Sequence, residues 1–327
     1  MVDACDRLSL ERPVLQAAMG GVARHDLVVA VSQAGGLGTL SYLPPAFFAE
    51  EIKRVEETLG QTPYAINLLL PIITRAHIEA CLASRAPIVS LFYGFDADLI
   101  SALKAAGKLV LFQVGSLAEA RKVIAAGADG LIVQGHEAGG HVRGTQRLAD
   151  VFARIREAFP ETWLCAAGGI YDRQSAEGAW ALGADAVASG TRFLATPEAA
   201  AHQAYKQRLI EARETVITQL FGVGWRDPHR VIPNGAVRKW CDERGHAPAW
   251  LAVVHAVLGL VGKVAGGDGG AALTARQSLK SPLYTPASLT PEMEERLIEC
   301  VALYAGEGVQ HISALKPAAQ IVEDLSP

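Results

Sequence analysis

The sequence lacks a long hydrophobic run, a cluster of basic residues and a pattern of paired cysteines. Half of its 327 residues are hydrophobic and 20% are charged, the balance of a globular protein. No apolar stretch reaches the ~20 residues that span a bilayer, and the most apolar segment, residues 251–264, is short and contains His255. The net charge is only −4, without a concentration of Lys or Arg. These features argue against nucleic acid and membranes as partners.

The five cysteines are an odd number and lie far apart in the chain: Cys5, Cys81, Cys165, Cys241 and Cys300. None forms a Cys-x-x-Cys pair, so neither a disulfide framework nor a zinc ribbon is expected, and buried reduced thiols are the simplest interpretation. The N-terminus carries acidic residues and no apolar run, unlike a secretory signal. We therefore expect a cytoplasmic protein.

Short apolar runs alternate with helix-like stretches along the first two thirds of the chain. Eight runs are candidate strands: residues 14–17, 36–40, 64–70, 88–93, 108–114, 130–134, 163–167 and 186–189. Most are hydrophobic without alternation, which is typical of parallel strands buried on both faces. Two predicted helices, residues 117–126 and 175–182, are followed by Gly127 and Gly183, each suited to a left-handed helix end.

Eight such strand–helix units predict a TIM (β/α)8 barrel. An open doubly wound sheet is the competing fold. That fold usually has Gly-x-Gly-x-x-Gly after its first strand, and residues 16–21 do not match this pattern.

The strand–helix alternation stops after Pro197. Residues 198–286 lack clear strands and contain helical stretches with loops rich in Gly, Pro and Trp, which predicts a smaller, mainly helical cap inserted after strand eight. Residues 1–197 would then form the barrel core. Residues 287–327 would supply the closing helix at 291–305, with Thr290 as N-cap and Pro291 in its first turn, and a tail from Gly306 that packs back on the barrel.

Glycine and polar residues are concentrated where the predicted strands end, which is where TIM barrels place their active sites. In chain order these ends are Ala17-Ala-Met-Gly-Gly21, Asn67, Gln113, the segment from Gln134 to His141, Gly168-Gly169, and Ser189-Gly-Thr191. Their common position at one rim predicts a single site.

Two of these ends, Gly168-Gly169 and Gly190-Thr191, follow strands seven and eight, where barrel enzymes often bind phosphate. Glycine allows the backbone N–H groups to approach an anion, and the Thr191 hydroxyl can donate a further hydrogen bond. No Gly-Lys-Ser/Thr motif accompanies them. Neutral donors of this kind suit a monophosphate, either flavin mononucleotide (FMN) or a sugar phosphate.

The segment His136-Glu-Ala-Gly-Gly-His141 differs from a His-Glu-x-x-His zinc motif. Its histidines are five residues apart instead of four, and Gly139-Gly140 would break a helix. We therefore expect no metal. The glycine pair could instead bring the backbone flat against a planar ligand and direct His141 into the pocket, where it could act as a base or as a cation for an anionic substrate.

These motifs resemble those of the nitronate monooxygenase family, formerly called 2-nitropropane dioxygenases, and of the related FMN-dependent enoyl-ACP reductases. The resemblance covers most of residues 10–197. The matching segments are residues 12–21, Gly35-Gly-Leu-Gly38, Asn67, Glu137-Ala-Gly-Gly-His141, Ala166-Ala-Gly-Gly-Ile170 and residues 183–193.

The resemblance implies FMN bound without a covalent link to the barrel core, and a flavin-dependent oxidoreductase. It assigns the phosphate to Gly168, Gly169, Gly190 and Thr191, with Ser189 beside them. It places Ala18, Met19, Gly20, Asn67, Gln134, Gly139 and Gly140 around the flavin ring and ribityl chain, and His141 as the catalytic residue. Gln113 stands where some family members have lysine, so it can donate a hydrogen bond to the flavin but cannot carry charge.

The activity implied is oxidation of alkyl nitronates or nitroalkanes with molecular oxygen to carbonyl compounds and nitrite. The alternatives are an enoyl-ACP reductase-type enzyme that uses NAD(P)H and a flavin-binding subunit without turnover. The expected partners are a small-molecule substrate and O2, with a homodimer as one option for the oligomeric state. The segment around Trp225, His229 and Asn234 has no role in the resemblance and could form a lid.

Overall fold

A computed structural model describes residues 8–265 and 269–327, so Cys5 lies outside the described residues. Eight parallel strands form a barrel, and three short strands form a second sheet. In chain order the strands are β1 (Val14–Gln16), β2 (Thr39–Leu40), β3 (Ala65–Leu69), β4 (Ile88–Phe92), β5 (Leu109–Val114), β6 (Gly130–Gln134), β7 (Gly140–His141), β8 (Trp163–Ala167), β9 (Ala186–Ser189), β10 (Val216–Thr218) and β11 (His229–Val231).

The barrel strands pair in the order β1-β9-β8-β6-β5-β4-β3-β2. A parallel bridge between Leu15 and Leu37, just before β2, joins the two ends of this sheet. The TIM-barrel prediction is therefore confirmed. Successive strands in sequence are neighbours in space, apart from the short β7, so the carboxyl ends of all eight strands meet at one rim.

Helices on the outside of the barrel alternate with its strands, and the described part of the insertion contains four further helices. In chain order the helices are α1 (His25–Gln33), α2 (Pro45–Leu59), α3 (Arg75–Ala83), α4 (Ala97–Ala105), α5 (Leu117–Ala125), α6 (Leu148–Ala158), α7 (Arg173–Ala181), α8 (Thr191–Leu194), α9 (Gln203–Glu211), α10 (Gly235–Trp240), α11 (Ala249–Ala265), α12 (Gly269–Ala275) and α13 (Ala318–Leu325).

Local sequence signals explain where the barrel helices begin and end. The Ser116 hydroxyl caps α5 by accepting a hydrogen bond from Glu119 N, and Asp172 caps α7 in the same way through Ser175 N. Gly127 and Gly183 follow these helices with φ of 97° and 82°, the left-handed conformation predicted from the sequence. Three barrel strands have the predicted bounds, and the others begin or end within a few residues of them.

The insertion is mainly helical, as expected, but it also contains β10 and β11, which the sequence did not indicate. These two strands are antiparallel, and β11 pairs with β7, the strand that carries His141. Each has only three residues. Strands of this length give too few alternating positions for a recognisable pattern. The insertion thereby reaches across the barrel rim to the loop after β6.

The predicted helix at residues 291–305 is wrong. The chain makes a turn at Thr290 and a short 3-10 helix at Glu295–Glu299, and then runs extended through the interior. Residues 301–303 are fully buried, and Ile232 N donates to Leu303 O. Tyr304 forms an antiparallel bridge with Val231, the last residue of β11. Pairing with β11 therefore overrides helical propensity here. The tail does pack back on the barrel, since α13 contacts α1 and α7.

Within residues 8–265 and 269–327, no helix is both long enough and apolar enough to cross a bilayer.

Candidate active site

A pocket opens at the carboxyl ends of the barrel strands, under the insertion. Its lining includes His141 and every residue predicted to bind the cofactor: Ala18, Met19, Gly20, Asn67, Gln113, Gln134, Gly139, Gly140, Gly168, Gly169, Ser189, Gly190 and Thr191. No Asp, Glu, Lys or Arg is among the described residues that line it. Any anion in this pocket would therefore be held by neutral donors.

The loop after β1 is held by Gln16, which sequence reasoning missed. Gln16 is buried, its Oε1 accepts a hydrogen bond from Thr39 N at 2.9 Å, and its Nε2 donates to Ala17 O. The amide thus ties β1 to β2 and fixes the loop that carries Ala18, Met19 and Gly20. The available signal was a polar Gln inside the otherwise apolar predicted strand at residues 14–17.

Asn67 and Ser90 form a polar pair on the neighbouring wall. Asn67 Nδ2 donates to the Ser90 hydroxyl at 3.0 Å and to Ser90 O at 3.1 Å. Asn67 Oδ1 is buried and has no hydrogen-bond partner among the described residues. A buried acceptor of this kind calls for a donor, and the pocket is where a ligand could supply it.

The two glycine loops lie side by side on the opposite wall. Gly168 and Gly169 have φ of 108° and 72°, which L side chains rarely adopt. Ser189 Oγ donates to Ile170 O at 2.6 Å, so this hydroxyl supports the neighbouring loop. Thr191 Oγ1 accepts a hydrogen bond from Gly306 N at 2.9 Å and keeps its own proton to donate.

The two glycines before His141 have different functions. A Cβ at Gly139 would lie 2.4 Å from Gly306 N and 2.5 Å from Ala305 C, so Gly139 is needed for close backbone packing. Gly140 has φ of 72° and open space where a Cβ would point. The expectation that both glycines face a planar ligand is thus incomplete, because Gly139 packs against the tail segment.

The backbone of His141 is held by Gln134. Gln134 Nε2 donates to His141 O at 3.0 Å, and its Oε1 accepts from Arg143 N at 2.7 Å. Both polar atoms of the Gln134 side chain therefore bond to the protein backbone. Gln134 lines the pocket, but it acts by positioning β7.

The ring of His141 is enclosed by four aromatic side chains from three separate parts of the chain. Trp225 stacks on it with ring centroids 3.6 Å apart and planes inclined by 9°. Tyr93, at the end of β4, presents its edge at 5.9 Å, while His229 and Tyr304 lie at 5.4 and 5.7 Å. We call these four residues the aromatic cage.

His141 is uncharged at neutral pH in this environment. Its Nε2 is buried and has no hydrogen-bond partner among the described residues. Burial, with a smaller contribution from His229, holds the pKa of His141 well below its ordinary value of 6.5. An unpaired buried nitrogen costs about 1–3 kcal/mol and commonly marks a functional group.

The aromatic cage was the part of the site that sequence reasoning missed. Trp225 and His229 were noted without a role, and Tyr93 and Tyr304 were not singled out. Tyr93 has φ of 57°, which is unusual for a residue with a side chain. Asn234 lies elsewhere: it caps α10 through Val237 N and donates to Ile298 O and Val301 O, so its role is structural.

His136 and His141 lie at the two ends of the loop that follows β6. No cluster of three or more His, Cys, Asp or Glu that could hold a metal occurs in the described part of the chain. The loop between the two histidines is held by Arg230, which donates to His136 O at 2.9 Å and to Ala138 O at 3.2 Å. Arg230 also pairs with Glu307 at 2.9 Å.

The fold and the pocket together define the class of protein. It is a TIM-barrel protein with an uncharged, glycine-lined pocket and a buried histidine at the carboxyl ends of its strands. Comparison with known proteins defines the family. The nitronate monooxygenase profile matches residues 4–78 and 73–327, and the chain belongs to this family of oxidoreductases.

Individual relatives are moderately similar. A nitronate monooxygenase from Paraburkholderia phytofirmans is 30% identical over 350 aligned positions, covering 90% of this chain and 94% of the relative. A (3aS,4S,5R,7aS)-5-hydroxy-7a-methyl-1-oxo-octahydro-1H-indene-4-carboxyl-CoA dehydrogenase from Mycobacterium tuberculosis is 33% identical, covering 71% of this chain and 66% of the relative. The same enzyme from Rhodococcus jostii is 33% identical with 65% of its length covered, so the match spans just under two thirds of these two dehydrogenases.

Two solved structures have the same fold over nearly the whole chain. The nitroalkane oxidase of Streptomyces ansochromogenes has a TM-score of 0.76 and 30% identity, covering 98% of this chain and 96% of that one. FabK from Thermotoga maritima has a TM-score of 0.75 and 27% identity, covering 98% and 94%.

Proposed function

We propose that the protein is an FMN-dependent oxidoreductase that oxidises nitroalkanes or their nitronates with molecular oxygen, with His141 as the catalytic base. The observation that carries this proposal is the bare, buried Nε2 of His141 beside an uncharged, glycine-lined pocket. Similarity to a nitronate monooxygenase and to a nitroalkane oxidase supports the choice of substrate.

The residues of the pocket fit FMN. Gly168, Gly169, Gly190 and the Thr191 hydroxyl would hold the phosphate, because they offer neutral donors where the backbone can approach closely. The unpartnered Oδ1 of Asn67 suits an N–H of the flavin ring. Ala18, Met19, Gly20, Gln113 and Gly140 would line the ring, while Ser189, Gln134 and Gly139 would support the loops around it.

His141 would remove the α-proton of a neutral nitroalkane. A histidine can do this only while it is uncharged, and the lowered pKa keeps His141 uncharged at neutral pH. Bound FMN would supply the electron-accepting chemistry, and O2 would complete turnover to a carbonyl compound and nitrite. A preformed nitronate has already lost this proton, so His141 is needed less for that substrate.

A second candidate is reduction or oxidation of an acyl thioester. Likeness to FabK and to the carboxyl-CoA dehydrogenases favours it. An NAD(P)H-dependent enoyl-ACP reductase-type enzyme belongs to this class. The absence of Lys and Arg from the described pocket lining argues against strong binding of a phosphate-rich carrier inside the pocket, although not at its rim.

Anaerobic reduction of the flavin distinguishes the two candidates. The purified protein is reconstituted with FMN and mixed without oxygen with propyl-2-nitronate, nitroethane or NADH, and flavin absorbance is followed. Bleaching by the nitro compounds alone is expected. Bleaching by NADH alone would favour the reductase, and a protein that never binds FMN would overturn both candidates and the flavin-binding subunit.

We further propose residues 1–197 as the FMN-binding core, residues 198–286 as its lid, and residues 287–327 as the closing segment. The contact of Trp225 with His141 supports the role of the lid. The thiols of Cys81, Cys165 and Cys300 are free and buried, which suits a reducing, cytoplasmic location. A homodimer is the form to test by sedimentation.

A further inference from the structure

We infer that Trp225 is a positioning residue for His141: its indole fixes the plane of the imidazole ring and keeps water away from it. This inference rests on the proposed role of His141 as a base. It assigns a function to a lid residue that neither the barrel fold nor the family motifs explain.

The stacking geometry is close and rigid. The Trp225 and His141 rings are 3.6 Å apart and nearly parallel, so the indole covers one whole face of the imidazole. Trp225 is itself only 7% exposed. The edge of Tyr93 meets the indole at 4.9 Å and 89°, which prevents it from tilting. Rotation of the His141 ring about its Cβ–Cγ bond would collide with this indole.

Asp227 holds two members of the aromatic cage at once. Its carboxylate accepts a hydrogen bond from Trp225 Nε1 at 2.5 Å, and its backbone carbonyl accepts one from His229 Nδ1 at 3.0 Å. Because a carbonyl can only accept, His229 must carry its proton on Nδ1. One short turn therefore presses both Trp225 and His229 against His141.

The charged and titratable groups around His141 favour its neutral form. His229 comes from β11, Tyr93 from the end of β4 and Tyr304 from the buried tail segment, and all three rings are uncharged at neutral pH. Two charged groups contact the aromatic cage: Arg143 lies over the Tyr93 ring and pairs with Glu119, and Asp227 accepts a hydrogen bond from Trp225. No carboxylate is hydrogen-bonded to His141 in the described structure, so desolvation dominates.

Removal of the indole should therefore admit water and let the ring rotate. Protonated His141 would then be better solvated, and its pKa would move upward toward 6.5. The proton-removing step would suffer, whereas oxidation of a nitronate would not. A residue that only packs the lid would have the same effect on both substrates and none on the His141 pKa.

The test compares Trp225→Ala, Trp225→Phe and a control, Trp250→Ala, in the FMN-loaded full-length protein. Trp250 lies on α11 in the same insertion and is 53% exposed. The readouts are the pH dependence of kcat/KM for nitroethane, kcat/KM for propyl-2-nitronate, and the His141 pKa from NMR titration of labelled histidines, assigned with His141→Ala.

For Trp225→Ala we expect the acid limb of the nitroethane profile and the His141 pKa to rise together by about one pH unit or more, with kcat for nitroethane down roughly 10- to 100-fold. Activity on propyl-2-nitronate should stay within about threefold of the wild type. Trp225→Phe should shift the His141 pKa less, because a ring still covers His141. Trp250→Ala should not shift it.

An unchanged His141 pKa in both Trp225 variants would overturn the inference, as would equal losses on the two substrates. If Trp225→Ala does not fold, the His141 pKa of Trp225→Phe, measured by NMR titration, tests the inference. A pKa equal to that of the wild type would overturn it. If the wild type oxidises neither substrate, the proposed function fails, while the titration still shows whether Trp225 controls the protonation of His141.

Discussion

The two sides of the pocket are built in different ways. The barrel rim contributes mainly backbone, through glycines in the loops after β1, β6, β8 and β9. The insertion and tail contribute side chains: Trp225 and Tyr304 line the pocket, and His229 packs against His141. The barrel side thus lets a ligand approach the backbone closely, as the proposed binding of FMN requires, and the opposite side encloses the ring of one histidine.

His141 belongs to both sides, and its substitution should have the largest effect. In His141→Ala the barrel glycines remain, so FMN binding should be kept, while turnover of nitroethane should fall ~10²–10⁴-fold, the usual loss for a missing general base. Steady-state kinetics and flavin absorbance measure the two properties. Unchanged turnover would remove His141 from the mechanism, and loss of FMN would mean that its ring helps to hold the cofactor.

The barrel side depends on backbone contacts that a single methyl group should disturb. Gly139→Ala would force Cβ to 2.4 Å from Gly306 N, so the loop must shift, at a cost of about 1–3 kcal/mol and with weaker FMN binding. Gly140→Ala meets open space and should cost only about 1 kcal/mol, from its positive φ. Thermal unfolding measures the stability of the two variants, and titration with FMN measures their affinity for the cofactor.

Gly178→Ala is the matched control for these glycine variants. Gly178 lies within α7, and a Cβ there would meet nothing within 4 Å. Since glycine weakens a helix interior by roughly 0.5–1 kcal/mol, this variant should be slightly more stable and bind FMN normally. If Gly178→Ala also bound FMN more weakly, the losses of FMN affinity in Gly139→Ala and Gly140→Ala could not be attributed to changes in the pocket.

The side chains opposite the barrel make stability depend on pH. His229 is fully buried, and desolvation lowers its pKa from 6.5 to about 4. The unfolded chain therefore binds a proton between these values while the folded protein does not. The free energy of unfolding should fall as the pH drops from about 6.5 to 4, by at most roughly 3 kcal/mol from this residue.

His229→Phe tests this dependence. Urea unfolding of wild type and variant at pH 7 and pH 4.5 should show a smaller loss in the variant, because Phe does not titrate. His141 and His255, whose pKa values are also lowered by burial, act in the same direction in both proteins. Equal losses in the two proteins would contradict the assignment of this pH dependence to His229.

The contrast between the two sides also explains what the sequence could predict. Glycines such as Gly168 and Gly190 lie directly after apolar strands, so short local patterns identify the rim and its loops. The order of the eight strands follows from their order in the chain. The barrel and the residues around the pocket were therefore predictable, while their individual roles in binding FMN stay predictions.

The aromatic cage was not predictable in the same way. Tyr93, Trp225 and Tyr304 are far apart in sequence. The pairing of β11 with β7 brings His229 to His141, and the bridge from Val231 to Tyr304 brings in the tail. No local pattern encodes that pairing. The same pairing explains the wrong helix at residues 291–305, where contact with β11 outweighs a local helix signal.

The last predicted effect concerns how the insertion is joined to the tail. Asn234 is fully buried, caps α10, and donates at 2.9 Å to both Ile298 O and Val301 O. Asn234→Ala would leave these carbonyls unpaired and should cost about 2 kcal/mol in the free energy of unfolding. On the barrel exterior, Ser116 caps α5 with one bond, and Ser116→Ala should cost only about 1 kcal/mol.

These two cap variants should also differ in function. Asn234 lies three residues after β11, so its loss should loosen the strand that holds His229 and Tyr304 against His141. Asn234→Ala should therefore lower turnover of nitroethane a few-fold, whereas Ser116→Ala should leave it unchanged. Equal effects on turnover would mean that the pairing of β11 with β7 keeps the aromatic cage in place without the Asn234 hydrogen bonds.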